Sequence, residues 1–407
     1  MKKFLLSVIV IACLSCKNEN NNSAPKSGTW RATLTVQDNE TLPFIFEYTP
    51  SGTVKIFNAE EVIEVDEVML KGDSIYIRPP VFEGYIAGTF TEQSIQGQFI
   101  KPSLDRIVPF KAEYGNEDRF DIIDTPKVTI SGTWETVFSP ESDKDSYIAK
   151  GIFNQEKDKV TGTFRTTTGD YRYLEGVVDG NELRLSTFDG AHAFLFTAAV
   201  TDSTMSGTFY SGNHWKEPFV AKRNPNYELP DEHTLTFLKE GYDRLGFSFP
   251  NEDGHMVSLS DKEFKNKVVV VQIMGTWCPN CLDESKYYSE FYKQHKDQDV
   301  AFVALAFEYA KTQELAWQRI NRLKEHLRID YPILLAQYGT SDKQKANEKL
   351  PMLNHILSYP TSIFIDKKGQ VRKVHTGFNG PATGEKYHEF KHEFEDFLEQ
   401  LSSEESL

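Results

Sequence analysis

The sequence predicts an α/β domain in the carboxyl-terminal part of the chain, preceded by an all-β region that is internally repeated. After residue 237, apolar runs of strand length alternate with segments of helical period. Before residue 224 the apolar runs are short and alternating, and turns rich in Gly, Asp and Asn separate them. The sequence Ser-Gly-Thr-Trp at 27–30 returns at 131–134, which indicates two related halves within the β region.

The first residues of the chain have the composition of an export signal. Lys2 and Lys3 are basic, and the apolar stretch 4–12 is too short to span a membrane as a stable anchor. Small residues precede Cys13 and Cys16, so both positions resemble the lipobox of a bacterial lipoprotein. The competing interpretation is plain secretion with ordinary signal cleavage.

Cys16 is the expected site of lipidation. The polar residues 17–27, rich in Asn and Ser, begin directly after it and lack the apolar residues that folding requires. We therefore predict a signal peptide over 1–16 and a polar tether over 17–27, with Cys13 as the alternative lipidated residue. No long apolar run follows, so membrane attachment would come from the lipid.

Composition excludes several classes of function. The net charge of -15 argues against nucleic-acid binding, which requires a positive surface to meet phosphate. The chain contains no Walker loop, dinucleotide-binding glycine pattern or His-Glu metal motif. With 39% hydrophobic residues over 407 positions, it is long enough for two or three domains with their own cores.

The β region is predicted to comprise two β-meander repeats, at 28–125 and 126–223, packed as a sandwich or closed as barrels. A second echo supports the division, because Ile-Gln-Gly-Gln-Phe at 95–99 is similar to Met-Ser-Gly-Thr-Phe at 205–209. The many aromatic residues of this region are compatible with a ligand-binding mouth, but tightly packed β cores use the same residues. We favour core packing.

A polar, proline-punctuated linker is predicted over 224–236, followed by the α/β domain over 237–402 and a short tail over 403–407. Residues 235–245 favour a short helix at the start of this domain. Two continuous apolar runs, 268–273 and 300–306, are typical of central strands covered on both faces. Further strands are expected at 331–335, 362–366 and 371–376, with helices marked by the apolar periods of 316–327 and 390–401.

The Cys-Pro-Asn-Cys motif, Cys278 to Cys281, is the main chemical feature of the sequence. It falls where the apolar run 268–273 gives way to a segment of helical composition. A thiolate at Cys278 would face the free N–H groups of the first helical turn, and Pro279 suits the start of that helix. Cys278 and Cys281 can close a small disulfide, with Cys278 as the nucleophile and Cys281 as the resolving thiol.

Two other interpretations of the cysteine pair are weaker. A zinc site would need further Cys or His ligands at matching spacing, and the remaining cysteines, Cys13 and Cys16, lie in the export segment. A structural disulfide across so short a loop would remove little entropy from the unfolded chain. We therefore predict a redox-active dithiol, with no metal and no cofactor beyond the Cys278–Cys281 disulfide.

Residues 247–401 resemble the thioredoxin-fold domain of the TlpA/ResA-like group, which are thiol:disulfide oxidoreductases anchored in the bacterial envelope. The resemblance rests on an opening hairpin around 247–260, the apolar strand before Trp277-Cys278-Pro279-Asn280-Cys281, and the segment Ser-Tyr-Pro-Thr-Ser at 358–362. It covers about two fifths of the chain.

The resemblance assigns roles to further residues of this sequence. It implies a cis peptide bond before Pro360, in a loop that lies against the cysteine pair and pairs its backbone with an incoming peptide. Glu284 matches an acidic position near the reactive thiols, where a partly buried carboxylate exchanges protons with the resolving thiol. The alternative for Glu284 is stabilisation of the first helical turn. We assign substrate contact to the residues around the cysteines and the proline: Trp277, Pro279, Tyr359 and Pro360.

Two positions bear on the proton path. Gln272 stands six residues before Cys278, where thioredoxins place a buried Asp, so a relay through that position is not expected. Glu308 follows the second apolar run and is a candidate for the same cleft, although an acidic residue at the end of a strand is more often solvated.

The resemblance implies a lipid-anchored thiol:disulfide oxidoreductase of the bacterial cell envelope, facing the periplasm from either the inner or the outer membrane. The expected substrates are protein thiols and disulfides, and the expected direction is reduction, with a membrane electron donor restoring the dithiol. In the alternative hypothesis, the β region is a lipid-anchored module that binds a ligand or partner, and the redox domain serves it.

Overall fold

The computed structural model describes residues 24–295 and 299–405. The signal peptide, both candidate lipidation sites Cys13 and Cys16, and most of the predicted tether lie outside these residues. Within the described ranges, no helix combines the length and apolar character that a membrane crossing requires.

The first half of the β region forms a nine-stranded antiparallel sheet. Its two edge strands, β4 and β5, follow each other in the chain with only Asp66 between them, so the sheet curls into a barrel-like shape. The strands are β1 (Gly28–Thr35), β2 (Thr41–Tyr48), β3 (Val54–Asn58), β4 (Glu61–Val65), β5 (Glu67–Lys71), β6 (Ser74–Arg78), β7 (Tyr85–Phe90), β8 (Ser94–Lys101) and β9 (Arg106–Tyr114).

The second half repeats this arrangement. Pairing of β11 with β12 closes its sheet into a barrel of eight strands, and the two-residue β13 is attached to β12. The strands are β10 (Gly132–Phe138), β11 (Tyr147–Glu156), β12 (Lys159–Thr166), β13 (Gly169–Asp170), β14 (Leu174–Asp179), β15 (Glu182–Phe188), β16 (Ala193–Val200), β17 (Thr204–Ser211) and β18 (Trp215–Arg223).

The sequence echoes correspond to equivalent positions in the two halves. Trp30 and Trp134 are both fully buried, and each indole N–H donates to the carbonyl four residues earlier, at 2.9 Å and 2.7 Å respectively. In each half the first strand pairs with the last, with Trp30 opposite Tyr114 and Trp134 opposite Arg223. The prediction of an internally repeated all-β region is confirmed.

The aromatic residues of the second half pack inside its barrel. Phe138 lies 5.4 Å from both Phe164 and Phe219 between ring centroids, and Phe196 stacks on Phe209 at 4.6 Å. All five rings are buried. The preference for core packing over a ligand-binding mouth is therefore confirmed for this cluster.

The two halves pack against each other through strands β2 and β15. Phe44 stacks on Phe188 with ring centroids 4.4 Å apart, and the Ser186 hydroxyl donates to the Pro43 carbonyl at 2.6 Å. Residues 185–188 of β15 are all buried because one face of the strand lines its own barrel and the other meets the first half.

The carboxyl-terminal domain contains a five-stranded mixed sheet in the order β23-β22-β21-β24-β25. Strands β21 to β23 are parallel, and β24 and β25 are antiparallel to their neighbours. A hairpin of β19 (Ser248–Pro250) and β20 (Met256–Ser258) precedes the sheet, as predicted. The sheet strands are β21 (Val268–Met274), β22 (Val300–Phe307), β23 (Ile333–Gln337), β24 (Thr361–Ile365) and β25 (Val371–Thr376).

Four helices accompany this sheet: α1 (Pro279–Gln294), α2 (Gln313–Leu327), α3 (Lys343–Lys349) and α4 (Glu385–Ser403). Phe394 of α4 contacts Phe302 of β22 and Phe364 of β24, and Tyr288 of α1 stacks on Phe394. Every residue of β21 and β22 is buried, as their continuous apolar sequences predict.

The predicted helix over 235–245 is wrong. This stretch is irregular, with one isolated β-bridge between Leu238 and Leu353, because several of its backbone groups bond to residues 352–371 of the redox domain and not along a helix. The Thr236 N–H donates to the Thr376 hydroxyl at 3.2 Å. The preceding linker is also attached, through ion pairs of Glu228 with Lys150 and of Glu232 with Lys386.

Candidate active site

The cysteine pair lies at the junction of β21 and α1. Cys278 is the N-cap of α1, and its sulfur accepts a hydrogen bond from the Cys281 N–H at 3.2 Å. Pro279 is the first helical residue, where its missing N–H costs nothing because that group has no intrahelical partner. The sulfur of Cys278 therefore lies at the free amides of the first helical turn.

The two thiols differ in burial. Both are free cysteines in the structure; Cys278 is 7% exposed, whereas Cys281 is completely buried. Burial, and then the neighbouring Cys278, raise the pKa of Cys281 well above the ordinary thiol value. Only Cys278 is thus placed to meet an external sulfur.

The loop before β24 lies against the cysteines. The Tyr359–Pro360 peptide bond is cis, as predicted. The Cys278 thiol donates to the Tyr359 carbonyl at 3.3 Å. Trp277 closes the other side, since its indole N–H donates to the Phe307 carbonyl at 2.9 Å and its ring lies 5.4 Å from that of Tyr359. The structure thus brings Trp277, Pro279, Tyr359 and Pro360 together around Cys278.

Glu284 is completely buried beneath the cysteine pair, and not partly buried as expected. Its carboxylate accepts hydrogen bonds from the side chains of Gln272 at 2.8 Å, Ser362 at 3.0 Å and Tyr288 at 3.2 Å. Burial raises its pKa to about 7, against the opposing effect of these bonds. It is the sixth residue of α1, beyond the first turn, so the helix-stabilising alternative does not describe it.

Glu284 forms no hydrogen bond with either thiol in the described part of the chain, but its charge contributes to the raised pKa of Cys281. Gln272 is buried and joins Glu284 to Ser285, whose hydroxyl donates to the Gln272 amide oxygen at 3.1 Å. The ionisable group beneath the cysteines is therefore on helix α1, with the uncharged Gln272 orienting it from the strand.

The expectation that Glu308 is solvated is wrong. Its carboxylate is completely buried and accepts hydrogen bonds from the Thr276 N–H at 2.7 Å and the Thr276 hydroxyl at 2.8 Å. Burial raises the pKa of Glu308. Glu308 thus fixes the turn that leads into Trp277 and Cys278.

Sequence analysis did not identify one part of the site. The turn after β12, residues 168–172 of the second barrel, lies directly on the redox domain. The Asn280 amide donates to the Asp170 carbonyl at 3.2 Å, and the Ser358 hydroxyl donates to the Thr168 carbonyl at 2.7 Å. The Gly380 N–H donates to the Asp170 carboxylate at 2.6 Å. We call residues 168–172 the barrel turn.

Arg172 joins the barrel turn to the active-site helix. This buried guanidinium donates to the Pro279 carbonyl at 3.3 Å and to the Asp283 carboxylate. It also pairs with Glu61 of the first half and with Asp189, so a single cation contacts all three domains. No local pattern signals this role, because Arg172 and Asp283 are 111 residues apart in the chain.

Comparisons with known proteins agree with this geometry. A family model for redoxin matches residues 240–389. Thioredoxin-like protein YneN of Bacillus subtilis is 28% identical over 140 residues, which cover 34% of this chain and 73% of YneN. Thiol-disulfide oxidoreductase ResA of Halalkalibacterium halodurans is 28% identical over 188 residues, which cover 45% of this chain and 84% of ResA.

These matches support a TlpA/ResA-like thioredoxin-fold family for the carboxyl-terminal domain. A solved structure of a thioredoxin-family thiol:disulfide interchange protein from Chlorobium tepidum is 23% identical, with a TM-score of 0.30, and the match covers 40% of this chain and 99% of that one. The relatives named thiol-disulfide oxidoreductases support the predicted thiol:disulfide oxidoreductase activity for residues 240–389. In the described residues, no group of three or more His, Cys, Asp or Glu side chains is arranged to hold a metal ion.

Proposed function

We propose that this protein reduces disulfide bonds of other proteins in the bacterial cell envelope, with Cys278 as the nucleophile and Cys281 as the resolving thiol. The Cys278 thiolate attacks one sulfur of the substrate disulfide, which forms a mixed disulfide and releases the other substrate sulfur as a thiolate. Cys281 then attacks Cys278, forms the internal disulfide and releases the second substrate thiol. Two electrons pass from the dithiol to the substrate.

The observation that supports these roles is the asymmetry between the two thiols. Cys278 has solvent access, the helix N-terminus and the cis-proline loop beside it, whereas Cys281 has none of these. Its raised pKa means that Cys281 must lose a proton before it attacks. Glu284 has a pKa raised to about 7 and its charge acts on Cys281, so this buried carboxylate can take that proton, directly or through water.

Cys281→Ser in the full-length protein tests these roles. Without the resolving thiol, the reaction should stop at the mixed disulfide, so substrates should remain covalently bound and be released by reductant. Cells expressing Cys281→Ser should show slow-running adducts on a non-reducing gel, and the double variant Cys278→Ser with Cys281→Ser is the control. Identical gels for the two variants would contradict the proposal and favour a binding role for the β region.

Pro360→Ala tests the contribution of the cis-proline loop to the same reaction. Since the loop backbone is proposed to pair with the substrate peptide, the variant should trap fewer partners in the Cys281→Ser background. It should still react with small disulfides at Cys278, because the thiol itself is unchanged.

We further propose that a lipid on Cys16 anchors the protein with its redox domain in the periplasm, and that a membrane electron donor restores the dithiol. The supporting features are the lipobox-like sequence and the polar residues between Cys16 and the first barrel strand. Mass spectrometry of the mature amino terminus should find acylated Cys16, and acylated Cys13 is the alternative. Measurement of the reduction potential tests the reductase direction, since a strongly oxidising couple would indicate an oxidase.

A further inference from the structure

A cavity of about 330 Å³ lies where the two β halves and the redox domain meet, and its volume is in the range of small-ligand sites. The β8–β9 hairpin, strands β16 and β17, and the segment around Trp277 each contribute a wall. Trp277 precedes the nucleophile Cys278, and its ring lies 5.6 Å from that of Tyr309, which also lines the cavity. The cavity therefore adjoins the redox site.

The charge of the cavity is opposite to that of the protein. The chain has 60 Asp and Glu against 45 Lys and Arg side chains, yet the described residues lining the cavity include one Lys, one Arg, two His and no Asp or Glu. The four are Lys101, Arg106, His192 and His214. Burial, Arg106 and Lys101 lower the pKa of His214 to about 4, so at neutral pH the full positive charges come from Lys101 and Arg106.

Lys101 and Arg106 are directly opposite each other across the β8–β9 hairpin. Like charges at such a position repel each other and lower stability unless an anion lies between them. Among residues 24–295 and 299–405, the Lys101 ammonium donates only to the Ala191 carbonyl, at 2.8 Å, and the Arg106 guanidinium has no hydrogen-bond or ion-pair partner. Burial and then Arg106 lower the pKa of Lys101 to about 8, although Asp189 and Glu83 oppose the shift.

The nearby carboxylates are committed to other cations. Glu83 pairs with Arg319 and accepts from the Tyr309 hydroxyl at 3.0 Å, and Asp189 pairs with Arg172 and His192. Lys101 and Arg106 thus form no ion pair among the described residues. They lie beside aromatic walls, one of which is Trp277, the residue before the nucleophile.

We infer that this cavity binds a carboxylate of the disulfide substrate, which Arg106 and Lys101 hold while the substrate sulfur meets Cys278. The inference rests on the proposed function and adds a substrate class to it: disulfides that carry a carboxylate close to the reacting sulfur. A guanidinium and an ammonium are the side chains that bind carboxylates most strongly. The carboxylate can belong to an acidic residue of a protein substrate or to a small acidic disulfide.

The test measures how fast the reduced full-length protein is oxidised by matched pairs of disulfides. One pair is a disulfide-bonded peptide with Glu beside its cysteines and the same peptide with Gln. The other pair is dithiodipropionate and its uncharged diamide. The wild type should react about tenfold faster with the acidic member of at least one pair, and rising ionic strength should reduce the preference.

Arg106→Gln should remove most of this preference, because the rate for each acidic member should fall towards that for its uncharged partner. Lys111→Gln is the matched control, because Lys111 is an exposed basic residue of the same strand that does not line the cavity. Lys101→Met provides a second variant with the same expectation. Thermal unfolding of each variant verifies that the fold is kept.

The two pairs identify the source of the carboxylate. A preference limited to the peptides supports a protein substrate, and a preference limited to dithiodipropionate supports a small acidic disulfide. Equal rates within both pairs would overturn the inference while leaving the proposed function intact. If none of the four disulfides oxidises the reduced protein, both the proposed function and this inference are overturned.

Discussion

Glu284 has no contact with solvent and sits beneath the redox pair, held by one amide and two hydroxyl groups. A carboxyl group in such a site is stable mainly in its protonated form, because burial penalises the charged form more than three hydrogen bonds favour it. Because its pKa is about 7, the Glu284 carboxyl can both accept and release a proton near neutral pH, as the proposed proton exchange with Cys281 requires.

Glu284→Gln should change how stability depends on pH. The wild-type pKa of about 7 lies above the ordinary value of 4.5, so the folded state loses stability as pH rises from about 4.5 to about 7. Relative to the wild type, Glu284→Gln should therefore gain up to about 3 kcal/mol of unfolding free energy between pH 4 and pH 8. Urea denaturation at both pH values measures the difference.

Glu290→Gln, on the exposed face of the same helix, is the matched control for this substitution. If the unfolding free energies of the wild type and Glu284→Gln differ by the same amount at pH 4 and at pH 8, the proposed titration of Glu284 is contradicted.

At the residue scale, the sequence predicted the parts of the site that are local. The Cys278–Cys281 spacing and the helix start at Pro279 follow from one short motif, whereas the cis bond at Pro360 was implied by the resemblance to TlpA/ResA-like proteins. The burial of Glu284 and Glu308 was underestimated, because it depends on side chains of distant strands and not on neighbours in the chain. The barrel turn was missed for the same reason.

At the scale of elements, the repeated glycines have a structural explanation. Gly97 of β8 and Gly207 of β17 occupy the same place in the two echoed segments. A Cβ atom added at either glycine would lie 2.2 Å from a carbonyl oxygen of the neighbouring strand, that of Ala87 or of Thr197. Neighbouring strands approach too closely there for any side chain. The similarity of the two segments was visible in the sequence. The reason for their glycines was not, because it depends on how the strands pair.

Gly97→Ala and Gly207→Ala should each destabilise the protein by about 1–3 kcal/mol, because the added methyl group forces the strands apart. Gly246→Ala should have little effect, since its added Cβ would find the nearest neighbouring atom at 3.8 Å. Chemical denaturation of the three variants measures these changes. Equal stability of Gly97→Ala and Gly246→Ala would show that the β8 strand can move at no cost.

At the scale of the whole molecule, the redox domain is not an independent unit attached by a linker. Arg172 connects both β halves to helix α1, and Glu83 of the first half pairs with Arg319 of α2. The linker itself is held by ion pairs of Glu228 with the second β half and of Glu232 with helix α4. The fold class of each part was predictable from periodicity, but their mutual packing was not, since it depends on single charged residues far apart in the sequence.

Arg172→Met should weaken this assembly strongly. Removal of the buried guanidinium deprives the carboxylates of Glu61, Asp189 and Asp283 of their shared cation, a change that typically costs about 3–5 kcal/mol. Calorimetry should show one unfolding transition for the wild type, and a lower and divided transition for Arg172→Met. Lys55→Met, which removes a solvent-exposed ion pair with Glu64, should unfold like the wild type. Separate transitions in the wild type would contradict the proposed coupling.

In both halves of the β region, the start of the first strand lies beside the end of the last, with Trp30 opposite Tyr114 and Trp134 opposite Arg223. A unit whose chain enters and leaves at the same place can be copied in tandem within a gene without rearranging its strands. The second copy then needs only a short connection to the first. Duplication of one ancestral barrel would therefore have produced two folded units at once, leaving one copy free to acquire the barrel turn that contacts helix α1.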